Sequence, residues 1–407
     1  MSSPGLHEVF SKHLEAGCLD KAVMERRLCA AYGRPFHAVP FYLFITLAFW
    51  RIIMAVTVKP FGRFWNQDVN ATVLSNKNGM EVEVLDYGCI MRRLVVPSKN
   101  GPADIVLGFD NLAQYLYGHP CYGILAGRVA NRIHNGEFVL NGKTYHLPCN
   151  EGVTGQHLHG GVRGFDKYVW SSEAEEKDGV SRVVLRRTSE DGEQGYPGAV
   201  DVVAEFCLDE DNGVSMNFTA TAKDQDTIVN LANHNYYNLA GHGSPSIEDH
   251  ELHLYADAYT PVQSNMIPTG EIRPVSKDPA YDFTSMKRIG DQMAMPGLPD
   301  RMFDVNYVLN GTPSSEPGLI LAAEVRDPAS GRTMTVSTDL PGIQFYNASK
   351  LSLRHWDGKD GVVYQAFNSL CLETQFFPDA PNHPNFPSIV LKAGETRTTH
   401  TTHRFSW

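Results

Sequence analysis

Alternating strands joined by Asn-Gly turns recur along most of this chain, and this pattern limits its fold more than any other feature. "ATVLSNKNGMEVEVLDYG" alternates around Asn78-Gly79, "GEFVLNGKTYHL" around Asn141-Gly142, and "VVAEFCLDEDNGVSMNFTATA" around Asn212-Gly213. Asn-Gly between alternating apolar residues is the strongest short-range hairpin signal. No amphipathic stretch longer than about three helical turns interrupts them. The pattern predicts an all-β fold, one large antiparallel β-sandwich over residues 66–407.

Charge and cysteine usage narrow the classes of function. The net charge is −11 over 407 residues. Residues 1–65 carry eight basic and four acidic side chains, a net +4, so the remainder carries −15. An acidic body argues against a nucleic-acid partner, whose phosphates it would repel. The seven cysteines are scattered without a C-x-x-C pair, which predicts reduced thiols and a cytoplasmic location for the body.

The first 65 residues differ from the body and form a predicted leader. They begin with short amphipathic helical patterns and continue into the apolar run "VPFYLFITLAFWRIIMAV", residues 39–56, which Arg51 interrupts near one end. A spanning helix needs about 20 apolar residues, and Arg51 is near enough to an end to snorkel. Three interpretations stay open: a membrane or signal anchor, an extension upstream of a natural start at Met54, or a helix packed on the body.

Local motifs for nucleotide, hydrolase and metal chemistry are weak. "GEFVLNGKT" has one residue too many for a phosphate-binding loop and lies on a hairpin. Neither G-x-S-x-G nor G-x-G-x-x-G occurs in the sequence, so a serine hydrolase or a dinucleotide enzyme has no local support. His157 and His159 share one face of a predicted strand, but no third ligand stands at a recognisable spacing. We therefore expect no metal and no cofactor.

Polar residues occupy strand positions where apolar side chains are the rule. Taken singly, a polar residue at such a position is more often a core residue whose hydrogen bonds are all made than a catalyst. Together, the polar residues of five segments predict a site for a hydroxyl-rich ligand. A sugar suits a site in which aromatic rings stack on it and polar side chains each make two hydrogen bonds to its hydroxyls. The segments are "AGRVANRIHNG", "LHGGVRGF", "LANHNYYNLAG", "PGIQFYNAS" and "CLETQFFPDA".

At this point the chain resembles the aldose 1-epimerases, also called galactose mutarotases. Eight strings stand in the order of that family across residues 70–405, and "FDVNYVLNG" is more similar to plant-type members than to animal ones. The resemblance implies a galactose-mutarotase-type β-sandwich that interconverts the α and β anomers of free aldoses such as glucose and galactose. The strings are "GRVANRI", "LHGG", "DGEQGYPG", "NHNYYNLAG", "IPTGEI", "YDF", "PGIQFYNA" and "CLETQFFPDAPNHPNFPS".

The resemblance also implies roles for individual side chains. It makes Glu373 the general base, His234 the general acid and His159 an assisting group. Opening a hemiacetal ring needs a proton removed from the C1 hydroxyl and another supplied to the ring oxygen, which a carboxylate and an imidazole can exchange. Val305 departs from the histidine that many members carry there, which bears on the substrate range. The sugar-binding positions implied are Asn131, Arg132, Asn235, Tyr236, Asp282 and Gln344.

Two rival functions share the predicted fold. A hexose-6-phosphate epimerase would need extra Arg or Lys at the pocket mouth to bind the phosphate. Among the motif residues only Arg132 is cationic, with Arg163 nearby. A non-catalytic sugar-binding protein would be expected to lose Glu373 or His234, and both are present. We expect a monomer that acts on a small sugar, with membrane association only through residues 39–56.

Overall fold

The computed structural model describes residues 56–118, 120–351 and 357–407. In these residues two short helices accompany 27 strands, and the described body falls within one unit, Ala55–Trp407. In chain order the elements are β1 (Val56–Phe64), β2 (Gln67–Ser75), β3 (Glu81–Leu85), β4 (Ile90–Val96), β5 (Ala103–Asp104), α1 (Leu112–Tyr117), β6 (Leu125–Ala126), β7 (Arg132–Ile133), β8 (Glu137–Leu140), β9 (Lys143–His146), β10 (His157–Leu158), β11 (Ser171–Lys177), β12 (Val180–Ser189), β13 (Val200–Asp209), β14 (Gly213–Ala222), β15 (Thr227–Ile228), β16 (Ala232–Asn233), β17 (Glu251–Leu254), β18 (Ala256–Thr260), β19 (Arg273–Pro274), β20 (Lys287–Arg288), α2 (Ile289–Met293), β21 (Asp304–Leu309), β22 (Ile320–Arg326), β23 (Thr333–Thr338), β24 (Gly342–Tyr346), β25 (Cys371–Gln375), β26 (Val390–Leu391) and β27 (Thr396–Ser406).

Three larger sheets build the body. The first runs β1-β2-β3-β4-β5, and the second is nine-stranded, β11-β12-β13-β14-β27-β23-β22-β17-β20. The third runs β19-β18-β21-β24-β25, and the remaining short strands form two-stranded pairs. All strand pairings within the three larger sheets are antiparallel. The predicted all-β antiparallel architecture is confirmed, and the three Asn-Gly turns lie between β2 and β3, β8 and β9, and β13 and β14.

One extended hydrophobic core joins these sheets. Side chains from β3, from β12–β14 and from β21, β24 and β25 belong to the same buried cluster. In the third sheet, Val305, Phe345 and Leu372 are cross-strand neighbours that face this core. Because side chains alternate across a strand, the residues between them face the other way. The third sheet therefore has one apolar face and one face free for chemistry.

The first strand begins before the boundary predicted at residue 66. β1 is hydrogen-bonded along its length to β2 with a bulge between Pro60 and Gly62, so residues 56–64 are part of the first sheet. Most of its side chains are exposed or half-exposed. An edge strand with a bulge and little apolar alternation gives a weak strand signal, so the sequence pattern did not mark β1.

The predicted apolar segment 39–56 lies outside the described residues except for its last residue, Val56. Among the residues that the structure describes, no helix has both the length and the apolarity needed to cross a membrane.

Packing in the third sheet yields a stability prediction. Phe345 is fully buried, stacks on Phe303 at 5.0 Å and meets Phe283 edge-on at 5.5 Å between ring centroids. Phe345→Ala should lower the free energy of unfolding by about 3–5 kcal/mol, measured by urea denaturation. Val58→Ala, on exposed β1, is the control and should change it by less than about 0.5 kcal/mol. Equal effects of the two substitutions would contradict this assignment of the core.

Candidate active site

The polar face of the third sheet carries the first half of a candidate site. Glu373 on β25 is paired directly with Gln344 on β24, and Gln344 with Asn306 on β21. Directly opposed residues share a face, so these three side chains form one polar row on the side away from the core. Asp304 and Cys371 lie on the same face one step along.

Two histidines from separate segments complete the site against this face. The nearest ligand atoms of His159, His234 and Glu373 all lie within 4.8 Å of one another. His234 Nε2 is 3.6 Å from Glu373 Oε1, and the two imidazole rings meet edge-on at 5.0 Å between centroids. His234 and Glu373 are buried, whereas His159 is half-buried and lies nearer the solvent. The structure thus brings together the three side chains to which catalytic roles were predicted.

The backbone around His159 is held by a close approach between two loops. His159 has φ 49° and is followed by Gly160 with φ 87°. A Cβ at Gly160 would lie 1.8 Å from the carbonyl oxygen of Gly127, so only glycine fits. The N–H of His159 donates to the carbonyl of Asn131 at 3.0 Å, and the N–H of Asn131 donates back to His159 Nδ1 at 3.2 Å. These two bonds fix the imidazole in position.

The bond from Asn131 also sets the tautomer of His159. Because Nδ1 accepts a hydrogen bond, the neutral ring carries its proton on Nε2. Burial lowers the pKa of His159 well below its usual range, and the neighbouring His234 and Arg132 lower it further. His159 is therefore a neutral imidazole that donates from Nε2.

This tautomer argues against a metal at the three-residue cluster. Histidines that bind metals usually donate their other ring N–H to an acceptor, whereas His159 Nδ1 faces a donor. His157, the other histidine considered for metal binding, is taken up by Pro148 O at 2.8 Å and the Tyr196 hydroxyl at 2.6 Å. The arrangement suits proton chemistry better than metal ligation.

Burial shifts the pKa values of the two innermost groups in opposite directions. Desolvation, followed by the charge of Asp304, raises the pKa of Glu373 well above its usual range, against the opposing effect of Arg132. Desolvation lowers the pKa of His234 to about 4, although a hydrogen bond to its own backbone and then the charge of Asp304 oppose this. Both shifts favour the uncharged forms of a carboxyl and an imidazole that face each other.

A charged network flanks the cluster and leaves one donor available. Arg132 binds Glu151 through two hydrogen bonds, Nε to Oε2 at 2.8 Å and Nη2 to Oε1 at 2.7 Å. Its third nitrogen, Nη1, is 3.9 Å from Asp304 Oδ2, beyond hydrogen-bond distance. Gln344 Nε2 donates to Asp304 Oδ1 at 2.7 Å. Arg132 Nη1 and Asp304 Oδ2 thus remain available to a ligand.

Two other predicted binding residues lie beside the histidines. The ring of Tyr236 stacks on His234 at 5.1 Å between centroids. Asn131 supports the site through its backbone N–H, which donates to His159, and through its side-chain Oδ1, which accepts the N–H of Arg132 at 2.8 Å.

Two predicted sugar-binding residues do not join the cluster. Asn235 Nδ2 contacts Met91 Sδ at 2.9 Å and the Tyr237 hydroxyl at 3.3 Å. Its side chain points into the core because it alternates with those of His234 and Tyr236. Asp282 is bound by Lys287 at 2.9 Å and by Thr284 at 2.6 and 2.9 Å, and none of its described contacts is to the cluster.

Three residues of the site were not predicted from the sequence. Asp304 and Glu151 carry its charge network, and Cys371 lies 3.8 Å from His234 Nδ1. A signal for Asp304 existed in "FDVNY", where polar Asp304 and Asn306 alternate with apolar residues. No local pattern marked Glu151, because its partner Arg132 lies on another strand.

Comparison with known proteins agrees with this fold and shows the family. Residues 71–404 match the family model described as aldose 1-epimerase. Galactose mutarotase from Sus scrofa is 43% identical over 317 residues, 78% of this chain and 88% of the relative. Aldose 1-epimerase from Haemophilus influenzae is 34% identical, covering 79% of this chain and 91% of the relative. An aldose epimerase homologue from C. elegans superposes with a TM-score of 0.73 at 30% identity, over 82% of this chain and 98% of that one.

The support of His159 by Asn131 can be tested by two substitutions. Asn131 has φ 60°, so Asn131→Gly keeps this conformation and the N–H donor, whereas Asn131→Ala adds strain of about 1–2 kcal/mol. The ¹⁵N chemical shifts of His159 should show the Nε2–H tautomer in the Gly variant, and urea unfolding should show the Ala variant to be the less stable.

Asn141→Ala is the control at a site distant in the sequence, because Asn141 has φ 51° in the turn between β8 and β9 and its side chain likewise makes a hydrogen bond, to Asp226 at 2.9 Å. It should lose a similar stability and leave the shifts of His159 unchanged. A proton on Nδ1 of His159 in the Gly variant would refute the role given to Asn131.

Proposed function

This chain belongs to the aldose 1-epimerase family, and we propose that the cluster of His159, His234 and Glu373 is the site where it interconverts the anomers of a free aldose. The enzyme is an isomerase that acts on carbohydrates. One observation carries the assignment of the site. A buried carboxylate oxygen and an imidazole nitrogen lie 3.6 Å apart, a spacing at which both can reach neighbouring oxygens of one pyranose.

Ring opening moves two protons, and the pair can move both. The carboxylate of Glu373 accepts the proton of the C1 hydroxyl while the imidazolium of His234 donates one to the ring oxygen. The C1–O5 bond breaks, C1 becomes an aldehyde, and the two side chains are left uncharged. After rotation about C1–C2, O5 attacks the other face of the aldehyde. His234 then removes the O5 proton, Glu373 returns one to O1, and the starting pair is restored.

The pKa directions in the site favour this exchange. A carboxylate whose pKa is raised is a stronger base, and an imidazolium whose pKa is lowered is a stronger acid. Burial lowers the pKa of His234 to about 4, so the imidazolium releases its proton readily. The uncharged pair that burial favours is the pair that accompanies the open-chain aldehyde.

The remaining polar groups suit the hydroxyls of an uncharged sugar. Arg132 Nη1 is a hydrogen-bond donor and Asp304 Oδ2 an acceptor, and the two atoms are 3.9 Å apart, so one sugar hydroxyl could bind both. His159 supplies a second donor, the N–H on Nε2. Arg132 is paired with Glu151 and lies near Asp304, and Lys350 is 4.0 Å from Asp304. Because the cations here already face carboxylates, a phosphorylated sugar is a poor fit. Glucose and galactose are the proposed substrates.

We expect the reaction to need no cofactor, since proton transfer by side chains accounts for every step. A monomer in the cytoplasm remains the prediction for its assembly and location.

Replacing either member of the pair should slow turnover without removing sugar binding. Glu373→Gln and His234→Asn keep the polar shape, so kcat should fall by about 10²–10⁴-fold while the affinity for galactose changes little. Polarimetry of freshly dissolved α-D-galactose measures the rate, and calorimetry measures the affinity.

Glu271→Gln, on the surface beside Arg273, is the matched control and should retain the wild-type rate. A chelator should leave the wild-type rate unchanged. The assignment of the base is wrong if Glu373→Gln keeps a near-normal kcat, and the proposed function is wrong if the wild type leaves the spontaneous decay unaltered.

Asp304 should govern the pH dependence of the rate. Its charge raises the pKa values of both Glu373 and His234, so Asp304→Asn should lower both and move both limbs of the kcat/KM profile to lower pH. The variant keeps the acceptor for Gln344, which limits structural damage. Asp282→Asn makes the same chemical change outside the cluster and should leave the profile in place. A profile that moves with Asp282→Asn instead would assign the effect to Asp282 and not to Asp304.

A further inference from the structure

A buried thiol lies against the far side of the His234 ring. Cys371 and Glu373 are two residues apart on β25 and share its polar face. Cys371 Sγ is 3.8 Å from His234 Nδ1, and Glu373 Oε1 is 3.6 Å from Nε2 of the same ring. Cys371 has no exposed surface. The imidazole therefore lies between a sulfur atom and a carboxylate, with a different partner for each nitrogen.

The partner of Nδ1 matters because Nε2 is the nitrogen that exchanges a proton. When an imidazolium gives up its Nε2 proton, the neutral ring that remains keeps its proton on Nδ1. That tautomer needs an acceptor facing Nδ1, which in most catalytic histidines is a carboxylate or a carbonyl oxygen. Among the described side chains, Cys371 Sγ is the group that contacts His234 Nδ1 within hydrogen-bond distance, and the imidazole also hydrogen-bonds to the backbone of its own residue.

We propose that Cys371 is a positioning residue whose sulfur accepts the Nδ1–H of His234, so that Nε2 is left to exchange protons with the sugar. This inference rests on the proposed acid role of His234. Sulfur is a weak acceptor, so the contact holds the tautomer without strongly stabilising the imidazolium, as a carboxylate would. The imidazolium of His234 thus stays a strong acid, and the proton that it exchanges stays on Nε2.

The rest of the ring's surroundings agree with a separate role for the thiol. The backbone of His234 is held on both sides, its N–H donating to Ile124 O at 2.9 Å and its carbonyl accepting from Gly123 N at 3.0 Å. Burial raises the pKa of Cys371 well above its usual range, so no thiolate charge acts on the ring. The titratable and charged groups that face His234 are Glu373, Asp304, Arg132, His159, Tyr236 and Cys371.

The first test reads the tautomer directly. In the ¹⁵N spectrum of the wild-type protein at neutral pH, His234 should carry its proton on Nδ1, whereas His159 should carry it on Nε2. In Cys371→Ala, which removes the acceptor, His234 should show a mixture of the two tautomers. A His234 proton on Nε2 in the wild type would overturn the proposal. This measurement needs no turnover, so it remains informative even if the wild type fails to accelerate mutarotation.

The second test reads the strength of the acid. A hydroxyl is a better acceptor than a thiol, so Cys371→Ser should stabilise the imidazolium of His234. In the pH profile of kcat/KM, the limb assigned to His234 should then shift to higher pH by roughly half a unit. The weaker acid should lower kcat by about twofold to fivefold, with KM unchanged.

Cys89→Ser is the matched control, because it places a hydroxyl at another fully buried cysteine, one in the main hydrophobic core. It should lower Tm and leave the pH profile of the rate unchanged. If the Cys371→Ser profile superposes on that of the wild type, or if Cys89→Ser shifts the profile equally, Cys371 has only a packing role.

Discussion

The register of β21, β24 and β25 is the constraint on which the site depends. Leu372, Phe345 and Val305 pair across the three strands and fill the core. Glu373 and Gln344, one residue along, pair in the next row on the opposite face. A slip of one residue would exchange the two faces, placing a carboxylate in the core and a leucine in the site. The free energy of burying the apolar row therefore also holds the catalytic row in place.

A carboxylate buried this deeply is costly unless its surroundings compensate or its charge is used. Glu373 Oε2 has no hydrogen-bond partner among the described residues, and burial raises the pKa of the group. Arg132 offsets the cost only in part, because two of its nitrogens are bound to Glu151. The site thus holds a carboxyl group whose charge its neighbours compensate only in part, so that burial favours its uncharged form. In a purely structural role such a carboxyl group would only cost stability. A sugar hydroxyl could donate a hydrogen bond to Glu373 and then give up its proton to it.

The fold could be predicted from the sequence because short local patterns, alternating strands around Asn-Gly turns, mark its hairpins. It predicted the catalytic cluster only through family resemblance, since residues 159, 234 and 373 meet through long-range pairing. Two predicted binding residues lie apart from the cluster, each for a physical reason. Asn235 is adjacent to His234, and adjacent residues of an extended segment face opposite ways. Asp282 was predicted from the motif "YDF", and its described contacts are to Thr284 and Lys287, whereas Asp304 reaches the site through its register with Tyr346. The direction of the pKa shift of His234 depends on burial, which no local pattern reports.

The two histidines show how one residue type takes two roles in one site. His159 Nδ1 meets a backbone donor, which holds the ring proton on Nε2 and makes His159 a donor whose proton does not leave. His234 Nδ1 meets a sulfur atom, which leaves Nε2 free to gain and lose a proton. Mutarotation needs both kinds of group, because the ring oxygen must be protonated while the sugar stays oriented. If both rings faced backbone donors, the site would bind the sugar but have no acid, and if both exchanged protons, it would lose the fixed donor that orients the substrate.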